Sequence, residues 1–246
     1  TAAVSFTIQP ENAVLTINGG TYTGSTTVAL PAADTPYSYT VSCPGYTQQT
    51  GSVTVTDKDN PVADPANVTV TLAEDAAKWV TVTFTVTPEN ATLTLKDGET
   101  QVTPTEGTTY KLLKGVTYTY TAVSDDEGYE PVAGTVTPTE NSTQTVALKK
   151  VRSITLKGSY KTEYEQRDEL DTSGLTVTVT YTDGTTRDIT EGFTVTGFDS
   201  TNAMESQTLT VTYRGATAPY TIKINEKLFP STVFNSLKGY ATVEYS

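Results

Sequence analysis

The chain has 246 residues, a formal net charge of −12 and no His, and it contains one Cys and one Trp. Without His there is no imidazole base for a Ser-His-Asp or Cys-His site and no His-ligated zinc. A single Cys excludes an internal disulfide, a zinc finger and a Cys-ligated iron–sulfur cluster. The acidic balance argues against binding a nucleic-acid backbone, which needs clustered Lys and Arg.

The composition predicts an all-β protein made of small domains. Thr occurs 54 times, and with Val and Tyr it favours a pleated, half-buried surface. The apolar fraction of 36% is low for one large core, so several small domains fit better. No stretch approaches 18 consecutive apolar residues, so we expect no membrane-spanning segment. No signal peptide or C-terminal anchor is visible in the sequence, so the compartment is inferred from composition.

The first predicted strand contains Val4, Phe6 and Ile8, which alternate with polar residues and therefore bury one face. A hairpin turn is predicted at Asn18-Gly19-Gly20, because Gly and Asn tolerate positive φ. The other segments of this part of the chain are Pro10-Glu11-Asn12-Ala13, Leu15-Thr16-Ile17, Tyr37-Ser38-Tyr39-Thr40, Pro44-Gly45-Tyr46, Gly51-Ser52-Val53-Thr54 and the alternating run Val68–Leu72.

The same segments recur 78 to 83 residues later in the same order, and loops that accept insertions explain the drift. The second copies are Phe84–Ala91, Leu93-Thr94-Leu95, the Asp97-Gly98 turn, Tyr118–Thr121, Gly128-Tyr129, Gly134–Thr137 and the run Gln144–Leu148. We therefore predict a first repeat at 1–75 and a second repeat at 76–150. Each is expected to be a small sandwich of five or six strands.

A third unit is predicted at 151–225, because short alternating strands with turns between them suggest another small sandwich. Its strands contain Ile154 and Leu156, Leu175–Tyr181 with the Asp183-Gly184 turn, Phe193–Val195, Leu209–Tyr213 and Tyr220–Ile224. Residues 226–246 alternate only at Tyr240–Ser246, and both a tail on the third unit and the start of a further domain stay open. The predicted fold class is all-β, with three tandem small antiparallel β-sandwich (Ig-like) domains.

Both repeats resemble the PEGA-type domain, a small surface-associated sandwich, through Pro10–Ala13, the strand and turn at 15–19, Tyr37–Val41 and Pro44-Gly45-Tyr46. The second repeat offers Pro88–Ala91, Lys96-Asp97-Gly98 and Glu127-Gly128-Tyr129 for the same positions.

The third unit is similar to the bacterial immunoglobulin-like domain of group three. The matching residues are Leu170 to Leu175, Val177, Val179, Tyr181 and Asp183-Gly184, then Gln207-Thr208 through Tyr213-Arg214-Gly215. Glu205 departs from the family, in which a Gly commonly precedes the Gln-Thr pair. This resemblance implies an exported, non-catalytic domain arranged in tandem on cell-surface or secreted proteins, with no catalytic residues to carry over.

Acidic clusters are the first candidates for chemistry, and we interpret them as solvated loops. Asp125-Asp126-Glu127 and Asp168-Glu169 with Asp171 could pair as glycosidase carboxylates, but a sandwich of about 75 residues does not easily form the deep cleft needed. Asp57-Lys58-Asp59-Asn60 has the oxygen donors that calcium prefers, yet it lacks the Gly and distal Glu of a calcium loop.

Two further residue types are interpreted as structural. Cys43 is expected to be a packed or half-exposed thiol. Lys–Asn isopeptide cross-links would draw on Lys58, Lys78, Lys96 or Lys157, but no Glu motif accompanies them. We therefore predict no catalytic, cofactor-binding or metal site and no cofactor, and the binding residues stay unknown.

Aromatic residues are the remaining candidates, because carbohydrate binding usually uses exposed aromatic platforms. Trp79 lies at the junction between the repeats, where packing at a hinge is the favoured interpretation. Many tyrosines are predicted to alternate inward, namely Tyr37, Tyr39, Tyr118, Tyr120, Tyr181, Tyr213 and Tyr220. Tyr22, Tyr110, Tyr160 and Tyr164 lie near loops, where either a sugar contact or a rim position is possible.

These observations predict a non-enzymatic spacer that presents a functional partner domain. Few Lys and Arg, no disulfide and abundant Thr are typical of exported Gram-positive surface modules, so an extracellular or cell-wall-associated location is expected. Short linkers near Ala73–Lys78 and Lys149–Val151 predict limited relative motion. A module that binds glycan or a host or cell-wall protein, and a subunit of a surface fibre or layer, remain alternatives. No nucleic acid and no membrane insertion are expected, and the oligomeric state is left open.

Overall fold

The computed structural model describes residues 1–227 and confirms the all-β fold class. Within this range 22 strands form six sheets, and the one helical element is the 3-10 turn Ala76–Lys78. A turn of three residues is far too short to cross a bilayer, so no described helix could span a membrane. From residue 228 onward, the predicted tail or further domain lies outside the described residues.

The first repeat contains eight strands in two sheets. They are β1 Ala2–Gln9, β2 Val14–Ile17, β3 Gly20–Thr23, β4 Thr26–Leu30, β5 Tyr37–Ser42, β6 Gln49–Thr56, β7 Val62–Asp64 and β8 Asn67–Thr71. The sheet orders are β4-β1-β8 and β3-β2-β5-β6-β7. Val4, Phe6 and Ile8 of β1 are buried while Thr7 is exposed, as the alternation predicts.

Strand β1 is antiparallel to β4 but parallel to β8, which differs from the purely antiparallel prediction. Phe6 pairs with Val68 and Ile8 with Val70 in the parallel ladder. Parallel neighbours need a long crossover, and here the chain passes through the other sheet before β8 returns beside β1. Alternation within a strand shows which face is buried but carries no information about the direction of its neighbour.

The predicted hairpin turn joins β2 and β3. Asn18 and Gly19 have φ of 50° and 72°, and positive φ at both central residues is what a tight two-residue hairpin requires. Strands β3 and β7 raise the count above the predicted five or six. Both are short and largely exposed, so hydrophobic alternation does not reveal them.

The second repeat contains seven strands and the sheets β12-β9-β15 and β11-β10-β13-β14. The strands are β9 Trp79–Thr87, β10 Ala91–Asp97, β11 Thr100–Gln101, β12 Thr109–Leu113, β13 Tyr118–Ser124, β14 Val132–Val136 and β15 Ser142–Ala147.

Both repeats place a Tyr ring over a Gly of the adjacent strand. In the second repeat Tyr120 covers Gly134 and meets Phe84 edge-on, with ring centroids 5.5 Å apart. In the first repeat Tyr39 covers Gly51 and meets Phe6 in the same way at 5.2 Å. The recurring Gly of the sequence therefore leaves room for a recurring aromatic pair.

The third unit contains seven strands and the sheets β16-β18-β19 and β17-β22-β21-β20. The strands are β16 Val151–Lys157, β17 Glu163–Glu165, β18 Thr176–Tyr181, β19 Thr186–Ile189, β20 Thr194–Thr196, β21 Met204–Tyr213 and β22 Ala216–Asn225. Strand β17 is parallel to β22, and the other mapped pairs are antiparallel. Val177, Val179, Leu209 and Val211 are fully buried in its core.

Spatial compactness divides the chain into two units rather than three. One comprises Thr1–Thr85, Thr94–Tyr120 and Gly134–Thr145, and the other comprises Val86–Leu93, Thr121–Ala133 and the described residues from Val146 to Lys227. The strands of the second repeat are thus shared between the two. The division at 75, 150 and 225 stays a prediction.

Gly134→Ala tests the Tyr-over-Gly arrangement. In open space this change would stabilise the fold by restricting the unfolded chain. Here the new Cβ would lie 2.5 Å from the Tyr120 Oη and 2.6 Å from its Cζ, so the ring has to leave Phe84. We expect a loss of about 1 kcal/mol in urea denaturation, the usual worth of an aromatic pair. The exposed neighbour Thr135→Ala is the control, and equal stability of the two variants would contradict the arrangement.

Candidate functional site: the two linkers

The linker after the first repeat is held by backbone hydrogen bonds to the Gly-Tyr motif. The Asp75 N–H donates to the Gly45 carbonyl at 2.9 Å, and the Thr47 N–H donates to the Ala73 carbonyl at 2.8 Å. Between these two bonds Tyr46 forms a bridge with Glu74. The chain leaving the repeat is thereby tied to a loop of that repeat.

The linker after the second repeat is held in the same way. The Val151 N–H donates to the Gly128 carbonyl at 2.8 Å, and the Glu130 N–H donates to the Lys149 carbonyl at 2.9 Å. Tyr129 forms the bridge with Lys150. We call this shared set of bonds, at 45–47 with 73–75 and at 128–130 with 149–151, the Gly-Tyr clamp. The Gly-Tyr pairs found as a repeat signature in the sequence are therefore the points that hold each linker.

Trp79 closes the first clamp. Its indole N–H donates to the Gly45 carbonyl at 2.8 Å, so that oxygen accepts two hydrogen bonds. Gly45 has φ of 84°, and a Cβ there would lie 2.5 Å from the Trp79 Cζ2 and 2.6 Å from the Leu113 Cδ2. Tyr46 meets the indole edge-on at 6.4 Å. Only Gly fits this position, both for its backbone angle and for its close approach to the indole.

A charged pair lies near the Trp79 ring. The Lys111 ammonium is 5.1 Å from the ring centroid and forms a salt bridge with Glu74. Both side chains are close to half exposed, so the salt bridge itself contributes little. The half-buried indole packs on Gly45 and lies beside Lys111, as the packing interpretation of Trp79 predicts.

Glu130 closes the second clamp with its side chain. One carboxylate oxygen accepts the Tyr181 hydroxyl at 2.8 Å, and the other accepts the Tyr213 hydroxyl at 2.6 Å and an Arg187 N–H at 2.7 Å. The same Arg187 nitrogen donates to the Tyr213 oxygen at 3.1 Å. The Glu130 side chain is only 14% exposed. Strands β18, β19 and β21 each supply one partner, so a single carboxylate connects both sheets of the third unit to the loop before β14.

The tyrosines of this group titrate abnormally. Burial, and then the hydrogen bond to the Glu130 carboxylate, raise the pKa of Tyr181 to about 12. The same two causes raise the pKa of Tyr213. Both hydroxyls thus stay protonated and available as donors across the physiological range.

Two lysines of the second linker are also paired. Lys150 forms a salt bridge with Asp126 at 2.8 Å and lies 5.1 Å from the Tyr129 ring centroid. Lys149 forms a salt bridge with Asp183 at 3.1 Å and lies over the Tyr181 ring at 5.2 Å. In addition the Thr182 N–H donates to the Lys150 carbonyl at 3.0 Å. Main chain and side chains therefore hold this linker together.

The acidic sequence candidates cap their own loops. Asp126 accepts the Gly128 N–H at 2.8 Å, and the hydrogen bond from Lys150 is the main cause that lowers its pKa. Asp168 accepts the Glu165 N–H, and Asp171 accepts the Ser173 N–H. Hydrogen bonds from backbone N–H groups within each turn account for the positions of these carboxylates, as expected for solvated acidic loops.

The predicted calcium candidate is also a turn. Asp57 has φ of 62°, and one of its oxygens accepts the N–H groups of Asp59 at 3.0 Å and Asn60 at 3.1 Å. Lys58 lies 3.6 Å from Asp34. Among the residues that the structure describes, no three acidic or Cys side chains group as a metal site would require.

Cys43 and the cross-link candidates have structural surroundings. Cys43 is buried, its Sγ lies 3.5 Å from the Asn12 Oδ1, and burial raises the pKa of its thiol. Each of the other lysines considered contacts a carboxylate: Lys78 meets Asp75, Lys96 meets Glu99 and Lys157 meets Asp188.

Two of the four tyrosines for which a sugar contact or a rim position was left open are buried, which fits neither alternative. Tyr110 is 3% exposed and packs on Phe84, and Tyr164 is 1% exposed. The Tyr164 hydroxyl donates to the Asp171 carbonyl at 2.9 Å and accepts the Asp171 N–H. These two hydrogen bonds anchor the loop that contains Asp171. Tyr22 packs against the first core, and Tyr160 meets Tyr220 edge-on. Position near a loop did not distinguish an anchoring Tyr from an exposed one.

A polar groove of about 830 Å³ lies beside Arg187, between the edge strands β19 and β20. Two of its charged lining residues are paired, Arg187 with Glu130 and Asp188 with Lys157. Its lining also includes the charged residues Glu127, Glu191 and Arg214.

Sequence reasoning missed Glu130 and its partners. The one available signal was the alignment of the repeats, in which Glu130 stands where the first repeat has Thr47. Tyr181 and Tyr213 were assigned as inward-facing, and their hydroxyls turn out to lie at the end of the core, where the carboxylate reaches them.

Comparison with known proteins bears on the third unit. Residues 158–224 match the family model of the bacterial Ig-like domain (group 3). This confirms the resemblance predicted for 151–225 over that range, whereas the resemblance of the two repeats to the PEGA-type domain stays a prediction. Comparison with the curated proteins gives no match.

Three solved structures show weak likeness to the chain. A protein described as a candidate surface protein is 26% identical over 33% of this chain and 94% of its own, with a TM-score of 0.22. The Bacillus anthracis TIE protein is 14% identical, and the match covers 93% of this chain and half of that one, with a TM-score of 0.26. Domains 5-6 of the S-layer protein SbsC are 13% identical over 88% of this chain and all of theirs, with a TM-score of 0.23. Superpositions at these scores do not define the arrangement of this chain.

Gly45→Ala tests the first clamp through the single Trp. The added Cβ cannot be accommodated beside the indole, and Ala at a φ of 84° is strained as well. We expect Trp79 fluorescence to shift to longer wavelength and stability to fall by about 1–3 kcal/mol. Gly128→Ala is the matched control at the second clamp, where it should leave the fluorescence unchanged. Equal spectra for Gly45→Ala and the wild type would contradict the described packing.

Alkaline titration tests the burial of the tyrosines. Burial raises the pKa of Tyr220 to about 12, and Tyr181 reaches about 12 as well, whereas an unfolded Tyr has a pKa near 10. Because the folded pKa is higher, the stability contribution is complete below about pH 10 and is lost as pH rises towards 12. Urea denaturation should therefore show falling stability over this window.

Tyr181→Phe should reduce that pH slope, since one shifted group is removed. The control is Tyr37→Phe, a half-buried tyrosine of the first repeat whose hydroxyl donates to the Pro31 carbonyl. An unchanged slope in Tyr181→Phe would contradict the assignment.

Proposed function

We propose that the chain is a non-catalytic structural spacer from a bacterial surface or secreted protein, of Gram-positive cell-wall type, that presents a functional partner domain. The observation that carries this proposal is the Gly-Tyr clamp, which recurs at both linkers. A spacer needs linkers that resist bending. Four backbone hydrogen bonds oppose bending at the two linkers, and the salt bridges of Lys149 and Lys150 add to them at the second. The Ig-like match at 158–224 supports the same proposal at the level of domain type.

The alternatives have weaker support in the described residues. A glycan-binding module would draw on an aromatic platform, but Trp79 is half-buried and packs on Gly45 beside Lys111. An assembling subunit would draw on strand edges or on the tail 226–246, most of which lies outside the described residues. The acidic chain also repels anionic partners, and residues 1–75 hold seven acids against Lys58 alone.

The spacer proposal is tested by loosening one linker and measuring its effect on spacing. Spin labels at exposed Thr16 and Thr85, in a Cys43→Ala background, report the distance across the first linker. We expect a narrow distance distribution that broadens when residues 73–78 are replaced by six Gly and Ser residues. A distribution that is already broad in the parent protein would overturn the proposal.

The competing functions are tested on the full chain. We expect no hit on a glycan array, no binding to host or cell-wall proteins, and no concentration-dependent species in sedimentation velocity. A reproducible glycan or protein ligand would favour the binding module. Oligomers that disappear on deleting residues 226–246 would favour the assembling subunit.

A further inference from the structure

The two linkers share a backbone clamp but are closed by different chemistry. At the first linker the closing group is the neutral indole N–H of Trp79, which donates to the Gly45 carbonyl. At the second linker it is the Glu130 carboxylate, at the position where the first repeat has Thr47. An indole does not titrate in the range of protein stability, whereas a carboxylate does.

All three groups that contact the Glu130 carboxylate act as hydrogen-bond donors towards it. They are the hydroxyls of Tyr181 and Tyr213 and the guanidinium of Arg187. An ionised carboxylate has enough lone pairs to accept all three, but a protonated one carries a donor of its own and loses its attraction for the guanidinium. With the side chain only 14% exposed, water cannot fully replace the lost partner.

The charges around Glu130 favour its ionised form, and this is the form that binds all three donors. Arg187 is the cation in direct contact with Glu130. Lys149 of the linker is paired with Asp183, and Lys150 is paired with Asp126. Once Glu130 is neutral, Arg187 keeps only its bond to the Tyr213 oxygen among the contacts of this group.

We propose that Glu130 is an acid-sensitive latch on the second linker. Ionised, it holds the loop 125–131 on strands β18, β19 and β21 and so keeps the Gly-Tyr clamp closed. Protonated, it releases that loop and the linker opens, while the first linker, closed by Trp79, stays held. The role of the latch rests on the proposed spacer function, because opening one linker matters when linkers set the spacing.

Amide hydrogen exchange of the full chain tests the latch at the atoms concerned. The Glu130, Val151 and Thr182 N–H groups donate across the second linker, and the Thr47 and Asp75 N–H groups donate across the first. Glu130→Gln removes the charge as protonation does. At pH 7 we expect its second-linker amides to exchange at least tenfold faster than in the wild type, about 1.4 kcal/mol of opening free energy. First-linker amides should be unchanged.

Glu127→Gln is the matched control, because it removes the same charge from an exposed position in the same loop. The pH arm compares the wild type with Glu130→Gln at the same pH, so the intrinsic pH dependence of exchange cancels in the ratio. That ratio should stay constant through neutral pH and fall once the pH drops below about 4.3, where a Glu carboxyl released from these partners takes up a proton. Equal exchange in Glu130→Gln and Glu127→Gln, or a ratio that does not change with pH, overturns the latch.

Arg187→Gln provides a second variant that leaves residue 130 intact. It should also speed exchange of the second-linker amides, and wild-type protection there would overturn the latch independently. A broad spin-label distance distribution across the first linker would contradict the spacer proposal without affecting the latch. Second-linker amides whose exchange does not change in Glu130→Gln would contradict the latch without affecting the spacer proposal.

Discussion

The described structure depends on two backbone carbonyls, those of Gly45 and Gly128. Gly45 accepts the N–H of Asp75, the last residue of the predicted first repeat, and Gly128 accepts the N–H of Val151, the first residue of the third unit. These bonds hold the segments that we predict to join small sandwiches, and a small sandwich buries little surface of its own. A main-chain acceptor is suited to this task, because its position is fixed by the loop and costs no side-chain entropy.

On this common backbone the two linkers have diverged in how they respond to their surroundings. The first is closed by an aromatic residue packed on a glycine, so its energy comes from dispersion and from burial of apolar surface. The second is closed by a carboxylate among two hydroxyls and a guanidinium, so its energy depends on charge. The chain therefore has one linker governed by packing and another governed by electrostatics.

The strands were predictable to the extent that they are amphipathic. Strands β1, β18 and β21 bury alternate residues, and the sequence shows this directly. Strand β7 was not predicted, and strands β3 and β11 were implied only by the hairpin turns that precede them, since their exposed residues leave no periodicity. The repeat alignment identified Gly45 and Gly128 but did not show that their carbonyls hold the linkers, because the hydrogen-bond partner of each lies more than 20 residues away. The role of Glu130 could not be predicted from the sequence. Its three partners lie 51, 57 and 83 residues further along the chain, and no local pattern connects them with Glu130.

A clamp made of main-chain atoms places almost no demand on the sequence that it holds. The first linker reads Ala73-Glu74-Asp75 and the second reads Lys149-Lys150-Val151, yet both make the same bonds. The second one, moreover, precedes a domain of a different type, the Ig-like match at 158–224. Such a joint is suited to recombination during evolution. A segment joined at either point keeps the main-chain bond to Gly45 or Gly128, whereas the group that closes the clamp, Trp79 or Glu130 with its partners, has to be supplied anew.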